Sequence, residues 1–321
     1  MSILKRITKL FVKQPSGKSF GIALQQKGIN ACSKFVLKNT AESGKAQSSQ
    51  PICQSYTVDL SDFEKAIIDL QATKPLSGQC HLVLNAQLSQ IVQMDKPNIP
   101  HDEMVGALKW QVKDLVSISP DNMVLDYFDV PILIGGKEKI HVVCAPLVEL
   151  KKLVAAVEDS NTSVASITTE EFAFANLLPI KNDACLLVCQ QPNEEIIILI
   201  IKQGHLYFYR RLRGYSQLAS KSEDELTMMV IDSLALEIQR SSDYFEHQLK
   251  QAGIREIKVL LPMETEGFFA RKLAENTHLP VSILALPEGY QQYRGYAAAI
   301  GATLFESRLA EYKLSQPQEL S

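Results

Sequence analysis

Gly21-Ile-Ala-Leu-Gln-Gln26 and Leu186-Leu-Val-Cys-Gln-Gln191 are two short apolar runs, each ending in a pair of glutamines. Their length and apolar character are those of buried strands. Each opens a stretch with the same order of elements. In the first, 20–25 and 29–37 read as strands joined by a turn containing Gly28, and a Ser/Gln/Gly-rich loop fills 39–51. A strand at 55–59 follows, then a helix over 61–72 with Ser61 and Glu64 spaced as a capping box, then short strands at 81–85 and 90–94. A helix over 100–116, strands at 124–130 and 139–144 around Gly135-Gly136, a helix over 148–158 and a strand at 163–167 come next. Thr168 and Glu171 have capping-box spacing and open a helix to Leu178. The second stretch repeats the opening with strands at 184–189, 195–201 and 205–212. It continues with a long helix over 223–250, a strand at 256–261, a helix over 265–278, a short strand at 281–284 and a helix over 291–309. Two α/β halves of one order, facing each other, place a ligand in the cleft between them.

The length of 321 residues fits about two domains of roughly 150 residues each. Hydrophobic residues make up 46% and charged residues 21%, which excludes disorder throughout. With 33 basic against 36 acidic residues the net charge is -3, which argues against a nucleic-acid binder. The longest apolar runs, 184–189 and 196–201, fall far short of the roughly 20 residues of a membrane span. Lys5, Arg6, Lys9 and Lys13 interrupt any signal-peptide core. Ile3, Leu4, Ile7, Leu10 and Phe11 follow helical spacing, with Lys5, Arg6 and Lys9 between them. A basic flank beside an apolar stripe is the pattern of a helix lying on an anionic membrane. A loose tail, or a helix packed on the body or on a partner, fits the same spacing.

The six cysteines form no Cys-x-x-Cys pair, so we expect reduced core residues and no zinc. Cys185 and Cys189 share a strand face but stand about 13 Å apart. No two of the six histidines are spaced i, i+3 or i, i+4, and no Gly-x-Ser-x-Gly elbow is present. Glu170-Glu171 is expected to offset a helix dipole, and Glu194-Glu195 to be a solvated hairpin end. Arg210, Arg211 and Arg213 suit a solvated sheet edge or a site for an acidic segment. Trp110, with Tyr127 and Phe128, suits either a partner groove or ordinary core.

The run Ala107-Leu-Lys-Trp-Gln-Val-Lys-Asp-Leu115 with Val124-Leu-Asp-Tyr-Phe128 resembles the PilM family of type IV pilus assembly proteins. So do Leu234-Ala-Leu-Glu-Ile-Gln-Arg-Ser-Ser-Asp-Tyr-Phe245 and Tyr296-Ala-Ala-Ala-Ile-Gly-Ala302, and the likeness spans about 18–309. It is nearest to the branch serving mannose-sensitive haemagglutinin (MSHA) pili. The resemblance implies an α/β, actin-like fold: duplicated RNase H-like subdomains around a nucleotide cleft, with a small α+β insertion in the first half. It divides the chain into an N-terminal segment at 1–14, a first half at 18–180 with an insertion at about 98–162, a second half at 181–312, and a tail. It also implies a partner, the cytoplasmic peptide of a PilN-like inner-membrane protein, held between the insertion and the first subdomain.

An actin-like site would use two loops of the form Asp-Ile-Gly-x-Ser, whose carboxylates order a magnesium shell and whose glycines open amides to phosphate. The matching positions here are Ala23 and Gln25 in the first half and Val188 and Gln190 in the second. The Gly-Gly turn expected under the adenosine reads Leu261-Pro262-Met263. The expectation is therefore a non-catalytic scaffold without cofactor or metal, cytoplasmic and associated with the inner membrane. The alternative is a nucleotide-binding ATPase or nucleotide-gated switch, with Lys27, Lys202 and nearby amides rebuilding a weaker site. A third reading is the cytoplasmic domain of a type II secretion platform protein, which normally continues into a transmembrane helix.

Overall fold

A computed structural model describes residues 18–33, 37–38, 47–48, 51–57, 62–73, 75–158 and 162–315. The segment 1–14, the Ser61 capping box and the tail beyond 315 lie outside the described residues. The first half is built on β1 (Ser19–Gln25), β2 (Gly28–Ser33), β5 (Cys53–Thr57), β6 (Gln79–Leu84) and β10 (Ser163–Thr169), in the order β10-β6-β1-β2-β5. Strands β3 (Leu37–Lys38) and β4 (Gln47–Ser48) form a separate small pair. The second half repeats the arrangement with β11 (Cys185–Cys189), β12 (Ile196–Lys202), β13 (His205–Leu212), β14 (Glu256–Leu260) and β15 (Val281–Ile283), ordered β13-β12-β11-β14-β15. In both sheets three antiparallel strands come first and two parallel strands follow.

Between β6 and β10 lies a third unit. Strands β7 (Gln90–Asp95), β8 (Met123–Ile134) and β9 (Lys137–Pro146) make a three-stranded sheet, with α2 (His101–Gln111) packed on it. Gly135 and Gly136 both have positive φ, 60° and 76°, the geometry of a two-residue hairpin turn matched to the twist of its strands. This sheet bounds the insertion at 90–146, earlier at both ends than the expected 98–162. Helix α3 (Leu147–Glu158) instead buries Leu150, Leu153, Ala156 and Val157 against the first sheet, beside α1 (Phe63–Thr73).

Helix α4 (Glu170–Ala175) ends the first half. Its N-cap is Thr169, which makes no side-chain capping bond, and Thr168 belongs to β10, so the expected capping box is absent. The long helix α5 runs over 223–248 with π-helical turns at Leu226–Ile231 and Tyr244–Gln248, and α6 spans Glu266–Asn276. The expected helix over 291–309 is broken at Leu304 into α7 (Ala297–Thr303) and α8 (Phe305–Ser315).

Helix α7 lies at the centre of the molecule. All seven of its residues are buried, in a core that takes Ala23, Val83 and Phe174 from the first half and Leu187, Cys189 and Leu199 from the second. Its small side chains allow backbone-to-backbone contact. A Cβ on Gly21 would stand 2.0 Å from the Ala299 carbonyl oxygen, and one on Gly301 would stand 1.9 Å from the Ala173 carbonyl oxygen. That closeness accounts for the Ala-Ala-Ala-Ile-Gly-Ala run. Cys32 and Cys53 face each other across β2 and β5 and are joined as a disulfide, against the expectation of six reduced cysteines; Cys80, Cys144, Cys185 and Cys189 are free and buried.

Gly21→Ala or Gly301→Ala forces α7 away from β1 or α4, with an expected loss of about 1–3 kcal/mol for overpacking of this kind. Urea unfolding checks it, and an unchanged midpoint in both variants contradicts the packing described.

Candidate functional site

The tips of two equivalent hairpins meet across the cleft. The turn between β1 and β2 holds Gln26 and Lys27, and the longer turn between β11 and β12 holds Gln190 to Glu195. The Gln26 N–H donates to the Glu194 carboxylate, and Gln191 Nε2 donates to the Leu24 carbonyl at 3.1 Å. Glu194 is 5% exposed, so it is no solvated hairpin end. Its neighbour Glu195 accepts the Tyr215 N–H at 2.7 Å. Gln190 turns its amide into its own loop, donating to the carbonyls of Glu194 and, at 2.8 Å, Tyr215.

Behind this contact lies a buried ionic cluster that the sequence reading did not assemble. Arg211 Nη1 reaches Glu170 at 3.1 Å and Arg211 Nη2 reaches Glu171 at 3.0 Å, bridging the second half to the first. Glu170 is 1% and Glu171 5% exposed. Glu170 and Glu171 stand in the first turn of α4, as expected, but they are buried against Arg211, which is no solvated edge. Burial pushes the Glu170 carboxyl up to about 8; the Glu171 and Glu194 carboxylates push the same way, against the pull of Arg211. Burial also raises Glu194, opposed by the Gln26 N–H and by Arg211. Strand parity carried the missed signal. Tyr209 and Arg211 share a face of β13, and Tyr209 points at the insertion, where its hydroxyl donates to the Ile91 carbonyl at 2.7 Å. Arg210, on the opposite face, pairs with Glu237 of α5 at 2.8 Å.

The third loop follows β14. Leu261 is buried, and Pro262 and Met263 lead into α6. The buried Glu266 carboxylate accepts the Leu261 N–H at 2.7 Å and pairs with Arg294, which also donates to the Leu284 carbonyl at 3.0 Å. A phosphate and its magnesium need open amides and a nearby carboxylate at each hairpin. Ala23 and Val188 are fully buried strand residues, Gln190 turns its amide into its own loop, and the Gln26 amide is already bonded. The carboxylate nearest the first hairpin tip, Glu194, is engaged by the Gln26 amide. Lys202 lies at the other end of β12 from the turn and donates to Gln251. Among the described residues, no group of His, Cys, Asp or Glu is arranged to hold a metal.

A separate cavity of about 610 Å³ opens between the insertion, the first half, the start of β13 in the second half and α8. Its wall is mainly apolar, with Val124, Phe128 and Val143 from the insertion, Ile167 and Phe172 from the first half, and Leu309 from α8. Phe128 stacks on His141 at 4.9 Å between ring centres and meets Phe172 edge-on at 4.9 Å. Burial pushes His141 down to about 4, so the stack is uncharged at neutral pH. Tyr127, on the opposite face of β8, lies in the insertion's own core, with its hydroxyl 2.6 Å from His101 Nδ1. Trp110 is 63% exposed on α2 and lies neither in the core nor on the cavity wall. Of the three aromatic residues singled out from the sequence, only Phe128 faces the groove.

Two outcomes follow from the ionic cluster. Arg211→Met removes the hydrogen-bond donor of the buried Glu170 and the cation of the buried Glu171, and a loss of about 3–5 kcal/mol is expected in chemical denaturation. The raised Glu170 carboxyl stabilises the fold most below its ordinary value of 4.5, and that contribution is lost as pH rises through about 8. The stability of the parent minus that of Glu170→Gln should therefore fall across this window, by up to about 1.4 kcal/mol per pH unit. A difference flat with pH contradicts the assignment.

No protein-family model and no curated protein matches the chain. Solved structures do. A chain of the PilM–PilN type IV pilus biogenesis complex is 13% identical, with a TM-score of 0.62 over 89% of this chain and 98% of that one. The cytoplasmic domain of EpsL, an inner-membrane component of the type II secretion system of Vibrio cholerae, is 11% identical with a TM-score of 0.47, covering 94% and 96%. A Bacteroides thetaiotaomicron protein described as having an actin-like ATPase fold and unknown function is 9% identical with a TM-score of 0.47, covering 86% and 95%. The duplicated sheets, the two helices α4 and α7 packed between them, and the likeness to the chain of the PilM–PilN complex establish that the chain has the α/β, actin-like fold.

Proposed function

We propose that this chain is a non-catalytic scaffold of type IV pilus assembly, working on the cytoplasmic side of the inner membrane and of the kind that serves MSHA pili. It receives the cytoplasmic peptide of a PilN-like inner-membrane protein in the groove beside Phe128. The observation that carries this reading is a contrast between two concavities. The cleft that would hold nucleotide is filled by the chain's own bonds, Glu194 to Gln26 and Gln191 to Leu24, whereas the groove where the insertion meets the first half, β13 and α8 is open and apolar. An apolar groove of several hundred Å³ with few polar groups suits a peptide carrying apolar anchors. The PilM–PilN complex supports the choice of partner through the shared fold. No helix among the described residues is long and apolar enough to cross a membrane, so in this reading the partner supplies the anchorage.

Calorimetric titration of a PilN-like cytoplasmic peptide, with and without Mg-ATP, tests it. The account expects binding of the same affinity in both, lowered about tenfold or more by Val124→Asp on the groove wall, and no micromolar heat for Mg-ATP alone. Affinity that depends on nucleotide, or micromolar Mg-ATP binding, favours the switch reading and overturns this one.

A further inference from the structure

Resting on the groove being a peptide site, we propose that its resident occupant is the chain's own segment 3–11, which holds the groove until a partner peptide displaces it. The argument starts from spacing. Ile3, Leu4, Ile7, Leu10 and Phe11 fall on one side of a helix, the i, i+4, i+7 set by which amphipathic helices enter apolar grooves. Nine helical residues measure about 13 Å, and the cavity of about 610 Å³ would take the apolar side chains of one face while the helix itself lies across its mouth.

Reach comes next. Ser19 of β1 is level with Gln79 of β6 and Ser163 of β10. The groove touches β10 at Ile167, four residues further along, a rise of about 13 Å at roughly 3.3 Å per residue. Strand β10 lies two strands from β1, about 10 Å sideways at roughly 4.8 Å each. The straight-line separation is therefore about 16 Å. Residues 12–17 can span about 20 Å when extended, so a helix over 3–11 can seat without disturbing β1.

Charge agrees. The charged groups on the groove wall are Asp126, Asp129 and Arg308. Arg308 is already engaged, by the Asn176 carbonyl and by Glu311. The Asp129 side chain is 55% exposed and shared with Lys96. Asp126 is buried, so Asp129 is the wall acid within reach of Lys5, Arg6 or Lys9. Tethering adds the rest. A segment on a short linker acts at an effective concentration of about 1 mM, so an intrinsic dissociation constant of about 100 μM would leave the groove occupied roughly ten to one and weaken a competing peptide by about tenfold.

The test uses the full chain and a form lacking residues 2–14. A synthetic peptide of residues 1–14 is titrated into the shortened form, beside a scrambled peptide of the same composition and beside Leu309→Glu, a groove-wall variant on the surface of α8. The expected results are saturable binding of the native peptide alone, its loss in Leu309→Glu, and a PilN-like peptide binding the shortened form about tenfold more tightly than the full chain. Equal binding of the PilN-like peptide to both forms overturns self-occupancy while leaving the groove as the partner site. Binding of the PilN-like peptide to neither form removes the partner reading, and the 1–14 titration still decides the occupant. Native and scrambled peptides binding alike overturn the proposal. If anionic vesicles then float only the full chain, the segment belongs to lipid.

Discussion

One backbone N–H at the tip of one hairpin, that of Gln26, is answered by a carboxylate from the other half, that of Glu194. The position of the second half against the first depends on this contact. Burying a carboxylate is unfavourable unless donors surround it, and here the donor is an amide fixed by the β1–β2 turn. Once Glu194 is seated, Gln191 reaches the Leu24 carbonyl, and Arg211 comes to lie over Glu170 and Glu171. Buried ion pairs add little net stability, but they tolerate few alternative arrangements because a displaced charge has no water to meet it. The contact between the halves is thus polar at the cleft and apolar behind it.

The apolar part is the core around α7. It draws side chains from both sheets, and its closest approaches are made where glycine leaves room, at Gly21 and Gly301. A shared core and a bonded cleft make the two halves one body. The groove lies away from the Gln26–Glu194 contact, where the insertion meets the first half, β13 and α8, and the Phe128–His141–Phe172 cluster supports its wall. In the functional reading proposed here, binding has moved to that wall and the old cleft acts as a hinge held shut.

Much of the architecture was legible in the chain. Strand-length apolar runs, the Gly135-Gly136 turn and the repeated order of elements report short-range physics, and the structure contains all of them. The losses fell where the deciding partner is distant. Glu194 reads as an exposed turn residue until the Gln26 amide of the other half is beside it. Arg211 reads as an edge cation until Glu170 and Glu171 face it. The amphipathic pattern of α3 shows that it covers a sheet but not which one; its buried face meets the first sheet. Cys32 and Cys53 are neighbours only through the register of β2 with β5. Trp110 breaks the apolar stripe of α2, and its exposure follows from that break.

The most direct measurement is amide hydrogen exchange at Gln26, with and without millimolar Mg-ATP. If Glu194 occupies this donor, the amide exchanges slowly for a hairpin tip, nucleotide leaves its rate unchanged, and Glu194→Ala speeds it. A fast amide in the parent that becomes protected when Mg-ATP is added would mean that the donor waits for phosphate, and would contradict the account.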